Sequence, residues 1–353
     1  MIKAMAMKKI TRNYTHSSVD FYLESSFSHI SKLVDKKNAV IITDKNIFSA
    51  HKKLFQNWNV ITLKPGEVFK VQLTADAIIE QLVELKADRT TTLVGVGGGV
   101  VTDLTGYVAS IYMRGIRFGL VPTSLLAMVD ASIGGKNGVD VGPYKNLVGS
   151  VRQPSFILHD YRFLKTLPAI EWSNGFAEII KHACIKDQQL FKLLQRNSLL
   201  DIQKNKRLLA FIIKKNVLLK SSIVEKDEFE KGDRKLLNFG HTLGHALETQ
   251  YELTHGQAVA LGMVFAAWLS AQIGGLKNSF KIVQVLSQYE LPAIASFDPD
   301  RVFQILVMDK KRVNKQMDFV LLQGIGKGIV HPIKLDQMKK FVSSFANLYP
   351  AIK

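Results

Sequence analysis

Short apolar runs alternate with amphipathic stretches through the first half of the chain. "NAVIITD" (38–44), "NVITL" (59–63), "TTLVGVGGG" (91–99), "RFGLVPTS" (117–124) and "FILHD" (156–160) are rich in β-branched residues and bounded by Gly, Pro, Asp or Ser, which predicts strands. "TADAIIEQLVELKA" (74–87) predicts a helix between two of them. This alternation predicts a mostly parallel α/β sheet. After "TLP" (166–168) the period changes to about 3.6, as in "FAEIIKHACI", "NKRLLAFIIKKNVLLKSSIV" and "FKIVQVLSQY". The pattern therefore predicts an α/β domain over 1–167 and an all-α domain over 168–353, with one late apolar run (318–333) that suggests a hairpin. Two joined domains imply a cleft, where ligands usually bind.

One stretch, "AVALGMVFAAWLSAQIGGL" (258–276), approaches the length of a membrane span. Its alanines, Ser270 and Gln272 favour a buried core helix, and no membrane role is expected. The N-terminus has no sustained apolar stretch and is not expected to be a signal peptide.

Composition narrows the class. Hydrophobic residues are 47 % and charged residues 22 % of 353, ordinary globular values with ample material for large cores. The single cysteine, Cys184, excludes an internal disulfide and fits a reducing, cytoplasmic setting. The net charge of +17 is spread along the chain, without a helix-turn-helix, zinc-finger or RNA-binding aromatic signature. A small anionic substrate steered into a cleft fits better than nucleic acid.

Candidate chemistry lies in three places. In "LVGVGGGVVTDLTGYVAS" an apolar strand runs through three glycines into a helix, which can bring a phosphate to free backbone N–H groups. The spacing is not G-x-G-x-x-G, so a standard Rossmann reading does not follow. Asp44, ending an earlier strand, can bind a ribose hydroxyl or simply cap a turn. The polar stretch 121–149 reads as a loop and carries Asp130, Lys136, Asn137, Asp140, Lys145 and Asn146 among glycines. Finally, "LNFGHTLGHALE" (237–248) places His241 and His245 on one helix face. "THGQAVALG" adds His255, and "NGFAEIIKHA" puts Glu178 in an apolar helix, where a metal is one way to satisfy a buried carboxylate. Two His and one Glu with an open position is a catalytic zinc composition, and the spacing leaves open which two histidines ligate.

"GGGVVTDLTG", "PTSLLAMVDASIGGK", "KNLVG", "NGFAEIIKH", "LNFGHTLGHALE" and "HGQAVALGM", in this order, resemble the 3-dehydroquinate synthase family over roughly residues 38 to 330. The resemblance implies an N-terminal NAD-binding domain and a helical C-terminal domain with the active site between them. It implies conversion of 3-deoxy-D-arabino-heptulosonate 7-phosphate to 3-dehydroquinate and phosphate, with transient oxidation by NAD. By position, Glu178, His241 and His255 match the ligands of Zn²⁺ (or Co²⁺), and His245 would face the substrate. NAD contacts would come from Asp44, Glu67, Lys70, Gly98, Gly99, Val100, Val101, Thr102, Asp103, Thr123 and Ser124, with Phe163, Leu164, Lys165 and Thr166 closing the site. Substrate contacts would come from Asp130, Lys136, Asn146, Lys181, Lys220, Arg234 and Asn238, with Lys136 and Lys145 near both ligands. Arg114 matches an arginine donated by a neighbouring subunit, which implies a homodimer, and Lys310 or Lys311 would also reach the substrate.

Two positions depart from the family pattern. Gln257 stands where Glu is usual, removing a charge that could support the metal, and Asn137 stands where Thr is common. The rivals are another sugar phosphate cyclase, and a metal-dependent alcohol or glycerol dehydrogenase of the same fold, which would consume NAD(P) stoichiometrically.

Overall fold

The computed structural model describes residues 8–142, 144–309 and 316–348. The chain divides into two compact units, the first Met1–Trp172 with Ile213–Phe229, the second Ser173–Ile212 with Glu230–Lys353. The sequence pattern places one cut, at 167/168; the units also assign Ile213–Phe229 to the first.

The first unit begins with β1 (Lys8–Asn13), β2 (Ser18–Leu23), β3 (Ala39–Asp44), α1 (Lys45–Ala50), β4 (Asn59–Leu63) and α2 (Gln72–Glu84). It continues through β5 (Thr92–Gly97), α3 (Gly99–Ile111), β6 (Phe118–Pro122), β7 (Lys136–Val141), β8 (Tyr144–Val151) and β9 (Phe156–Leu158). Seven strands form one sheet in the order β1-β2-β9-β6-β5-β3-β4. Only β1 and β2 pair antiparallel in it, so the sheet is mostly parallel, as the sequence pattern predicts. Strand β5 is buried at every position and β3 at all but its last, as befits parallel strands covered on both faces. Ile41, Val94, Val96, Val121, Leu158 and Phe163 belong to one core cluster.

The sequence pattern misses the β1–β2 hairpin. β1 reads "KKITRN", and its charges suit a sheet edge while erasing the apolar alternation that signals a strand. The stretch 121–149 is also not the loop expected. After β6 it forms a π-helical turn, Ala127–Ala131, and then the β7–β8 hairpin, with Lys136 opposite Val151. Its buried polar residues can occupy strands because their hydrogen bonds are made. Asn137 donates through Nδ2 to Gly135 O at 2.7 Å and Arg152 O at 2.9 Å. Its carboxamide fills the space a side chain at Gly106 of α3 would need, since an added Cβ there would lie 1.8 Å from Asn137 Oδ1.

Beyond β9 the chain continues through α4 (Ala169–Lys186), α5 (Gln188–Arg196), α6 (Leu199–Lys204), α7 (Lys206–Lys226), α8 (His241–Gln250), α9 (His255–Leu269), α10 (Phe280–Gln288) and α11 (Pro299–Asp309). It closes with β10 (Gln316–Gly324), β11 (Lys327–Lys334) and α12 (Leu335–Leu348). Among its described residues the second unit is thus helical apart from connecting segments and the β10–β11 hairpin, where the late apolar run suggests one. α9 opens the candidate membrane segment, and all its residues from Ala258 to Ala267 are buried inside the unit, as a core helix requires.

Candidate active site

Close backbone approach assembles the histidine cluster in the second unit. α8 starts at Gly240, in the left-handed region at φ 81°. A Cβ added at Gly262 of α9 would lie 1.8 Å from Gly240 O, and one at Gly244 would lie 2.9 Å from Ala258 O. No larger residue at Gly262 permits that approach, and the approach brings the imidazoles of α8 to the start of α9. Ring centroids of His241 and His245 are 5.2 Å apart, and those of His241 and His255 are 5.5 Å apart.

Glu178 of α4 completes the group and is fully buried. Its Oε1 lies 3.4 Å from His241 Nε2 and 3.4 Å from His255 Nε2. A tetrahedral ion with bonds of about 2.0–2.2 Å spaces its ligand atoms about 3.3–3.6 Å apart, so these contacts match the edges of such a polyhedron. The outer ring nitrogens have acceptors: His241 Nδ1 faces Phe239 O at 3.3 Å and His255 Nδ1 faces Glu248 Oε2 at 3.3 Å. With hydrogen on each Nδ1, both Nε2 lone pairs face the space beside Glu178. Glu178, His241 and His255 therefore form a group whose ligand atoms lie within 4.8 Å of one another, as do those of His245, Glu248 and His255. His245 sits one turn further along α8.

Electrostatics divides the two rings. Burial, with the Lys181 charge beside it, holds His241 well below the usual imidazole range. Burial acts against charge on His255 as well, but the Glu178 and Glu248 carboxylates outweigh it and lift the ring to about 10. Lys181 is buried and ion-paired to Glu178. Arg234 is also buried, and Asn238 Nδ2 donates to Glu230 Oε1.

The first unit gathers a second set. Lys70 Nζ lies 2.7 Å from Glu67 Oε1, 3.4 Å from Asp103 Oδ2 and 2.9 Å from Asn146 Oδ1. Asp140 holds the same group: it accepts from Asn146 N–H at 2.7 Å and lies 3.3 Å from Lys145 Nζ. That bond fixes Asn146 at φ 50°, an uncommon conformation for a residue with a side chain. Burial lifts the Asp103 carboxyl to about 7, only partly countered by Lys70. Burial would lower Lys70, but Asp103, Glu67 and Asp140 hold it above its ordinary value. Elsewhere in this unit Lys220 Nζ bonds Asp130, 2.7 Å to its carbonyl and 2.8 Å to its carboxylate.

The glycine-rich turn leaves the N-terminus of α3 without a side-chain cap. Gly98 is the N-cap of α3 and no side chain caps that end, so its first N–H groups point outward. Val100, Val101 and Thr102 form the first turn, and Thr123 N–H donates to Gly97 O at 2.9 Å. Ser124 lies beside the same turn, its Oγ 3.5 Å from where a Cβ on Gly98 would be. Asp44 accepts from Asn46 N–H and Ile47 N–H and so caps α1, the simpler of its two expected roles.

The other expected site residues have these surroundings. Phe163 is buried in the core cluster and Leu164 is buried too, so the segment presents Lys165 and Thr166 outward, with Thr166 Oγ1 3.1 Å from His51 Nε2. Arg114 is exposed at the far end of α3, about 20 Å along the helix from Gly99. Lys136 opens β7 and is exposed. Lys310 and Lys311 lie outside the described residues.

Gln257, which stands where Glu is usual, has a local role of its own. Gln257 accepts from Thr254 N–H at 3.0 Å in a capping box at the start of α9, while the carboxylate on His255 comes from Glu248. The sequence reading misses Glu248, Glu230 and the role of Asp140. Glu248 had a signal, falling seven residues after His241 on the same helical face. Glu230 had none, being one of several acids in "EKDEFEKGD".

Comparison with known proteins gives the family. Residues 60–174 match the model of the 3-dehydroquinate synthase N-terminal family and residues 175–312 that of the 3-dehydroquinate synthase C-terminal family. The chain is 37 % identical over 331 residues to 3-dehydroquinate synthase of Campylobacter curvus (strain 525.92), covering 90 % of this chain and 94 % of that one. It is 42 % identical over 277 residues to that of Campylobacter concisus (strain 13826), covering 77 % and 79 %. Among solved structures, 2-epi-5-epi-valiolone synthase from Streptomyces hygroscopicus subsp. jinggangensis 5008, with NAD⁺ and Zn²⁺ bound, superposes with TM-score 0.84 at 25 % identity, covering 97 % and 99 %. A probable glycerol dehydrogenase from Sinorhizobium meliloti 1021 shares the fold at TM-score 0.65 and 15 % identity, covering 96 % and 98 %.

Proposed function

This chain belongs to the 3-dehydroquinate synthase family, and we propose that it performs that family's step of the shikimate pathway as a carbon–oxygen lyase. The substrate is 3-deoxy-D-arabino-heptulosonate 7-phosphate, and the products are 3-dehydroquinate and phosphate. The observation that carries this reading is Glu178 Oε1 at 3.4 Å from Nε2 of both His241 and His255. That donor set and spacing fit Zn²⁺ or Co²⁺. When bound, the ion polarises the hydroxyl to be oxidised and NAD⁺ takes and returns one hydride, so the cofactor is regenerated in each cycle.

The chain's own residues supply position and charge. We assign the α3 N-terminus with Gly98, Gly99, Thr123 and Ser124 to the cofactor's phosphates, since uncapped N–H groups favour anions there. Glu67, Lys70, Asp103 and Lys145 form a pre-paired network that holds its place before a ligand arrives. Lys136, Asn146, Lys220 with Asp130, Lys181, Arg234 and Asn238 are assigned to the substrate, whose carboxylate and phosphate need several cations. His245, beside the metal ligands, is assigned to proton transfer at the phosphate side. The enzyme is read as cytoplasmic and homodimeric, with Arg114 serving a neighbouring subunit's site. Its distance from the α3 N-terminus supports that reading.

The test is product identity. Purified protein with NAD⁺ and the heptulosonate phosphate should give 3-dehydroquinate by NMR. Conversion of a different sugar phosphate, with this one untouched, would assign the chain to another cyclase reaction.

A further inference from the structure

The His255 imidazole spans two carboxylates. Its Nε2 lies 3.4 Å from Glu178 Oε1 and its Nδ1 lies 3.3 Å from Glu248 Oε2. The Glu248 side chain is only 10 % exposed, so its charge is held largely away from water. It sits on α8, the helix that also carries His241, so one rigid element supplies a ligand and a support for the other ligand. The support on His241 is different, a neutral backbone carbonyl.

His255 needs the stronger support. It is the first residue of α9, where the helix dipole opposes positive charge and weakens the ring as an electron donor. A carboxylate on Nδ1 counters this and fixes both tautomer and ring angle. Gln257, the nearest polar side chain downstream on α9, is committed to the capping box. A second set of donors, His245, Glu248 and His255, also lies within 4.8 Å, so Glu248 has to be distinguished from a ligand.

We propose that Glu248 is a positioning residue for the metal ligand His255, accepting its Nδ1–H and strengthening its bond to the ion, a role that rests on the Glu178/His241/His255 reading above. The experiment prepares metal-free wild type, Glu248→Gln, Glu248→Ala, Glu248→Asp and His241→Ala. It measures Zn²⁺ affinity by chelator competition and records the Co²⁺ absorption spectrum of each. Glu248→Ala should weaken zinc binding about 100-fold and Glu248→Gln about 10-fold, with Glu248→Asp recovering part of the loss. The Co²⁺ bands should shift in position while keeping tetrahedral intensity. Circular dichroism of the metal-free variants should match wild type. Wild-type affinity with an unchanged spectrum in Glu248→Ala would overturn the proposal. Loss as complete as in His241→Ala would make Glu248 a ligand and overturn it too. Should wild type hold no stoichiometric metal, the metal reading itself fails.

Discussion

His241 and His245 are four residues apart on one helix, and we assign them different roles. His241 Nε2 approaches Glu178, while the His245 ring, its centroid 5.2 Å from that of His241, lies beside the ligand set. His241→Ala should therefore abolish both zinc retention and turnover, whereas His245→Ala should keep the metal and lose activity. Elemental analysis with a turnover assay checks this, and stoichiometric zinc in both variants would refute the ligand assignment. His159, in the first unit, tests residue-scale electrostatics without a metal. It is fully buried, donates from Nε2 to Met128 O at 3.0 Å, and is pushed down to about 4 by burial. Its folded value is below the unfolded one, so the unfolded chain takes up the proton first. Its stabilisation is thus complete above about pH 6.5 and is lost as pH falls toward 4. The full effect is about 3 kcal/mol. His159→Gln should flatten the fall in urea midpoint between pH 7 and 5, and an unchanged slope would contradict this. The cluster of Glu178 with His241 and His255 was legible in sequence as residue types, because a buried Glu with clustered histidines is chemically costly without a purpose. The Glu248 partner was legible only as an acid on the His241 face, since "HALE" reads equally as a solvated helix end.

At the scale of elements, the site depends on how closely α8 and α9 approach. Gly262→Ala would set a methyl group 1.8 Å from Gly240 O, which only helix separation can relieve. Overpacking of this kind costs about 1–3 kcal/mol. The variant should melt lower and bind zinc more weakly, as His255 withdraws from His241. A melt and zinc affinity equal to wild type would show that the approach is not needed. The same small residues, read along the sequence, suggested only a long apolar helix. Periodicity identified α9 as core but could not say which neighbour its glycines admit. The parallel strands were legible because burial on both faces makes them apolar runs. β1 was not, and neither was the β7–β8 hairpin, whose buried Asn137 and Asp140 are satisfied across the hairpin by Arg152 O and Asn146 N–H.

For the whole molecule, the central claim is an enzyme that borrows NAD⁺ and returns it. Its family was legible from ordered motifs spread across most of the chain. The compact units were less so, because Ile213–Phe229 joins the first through tertiary contact and carries the same helical period as its neighbours. The most direct measurement is phosphate released from 3-deoxy-D-arabino-heptulosonate 7-phosphate by metal-loaded protein with sub-stoichiometric NAD⁺, while absorbance at the NADH band is followed. The account predicts many phosphates per NAD⁺ and no net NADH. NADH rising in step with product, and stopping when NAD⁺ is spent, would contradict it and point to a dehydrogenase of the same fold.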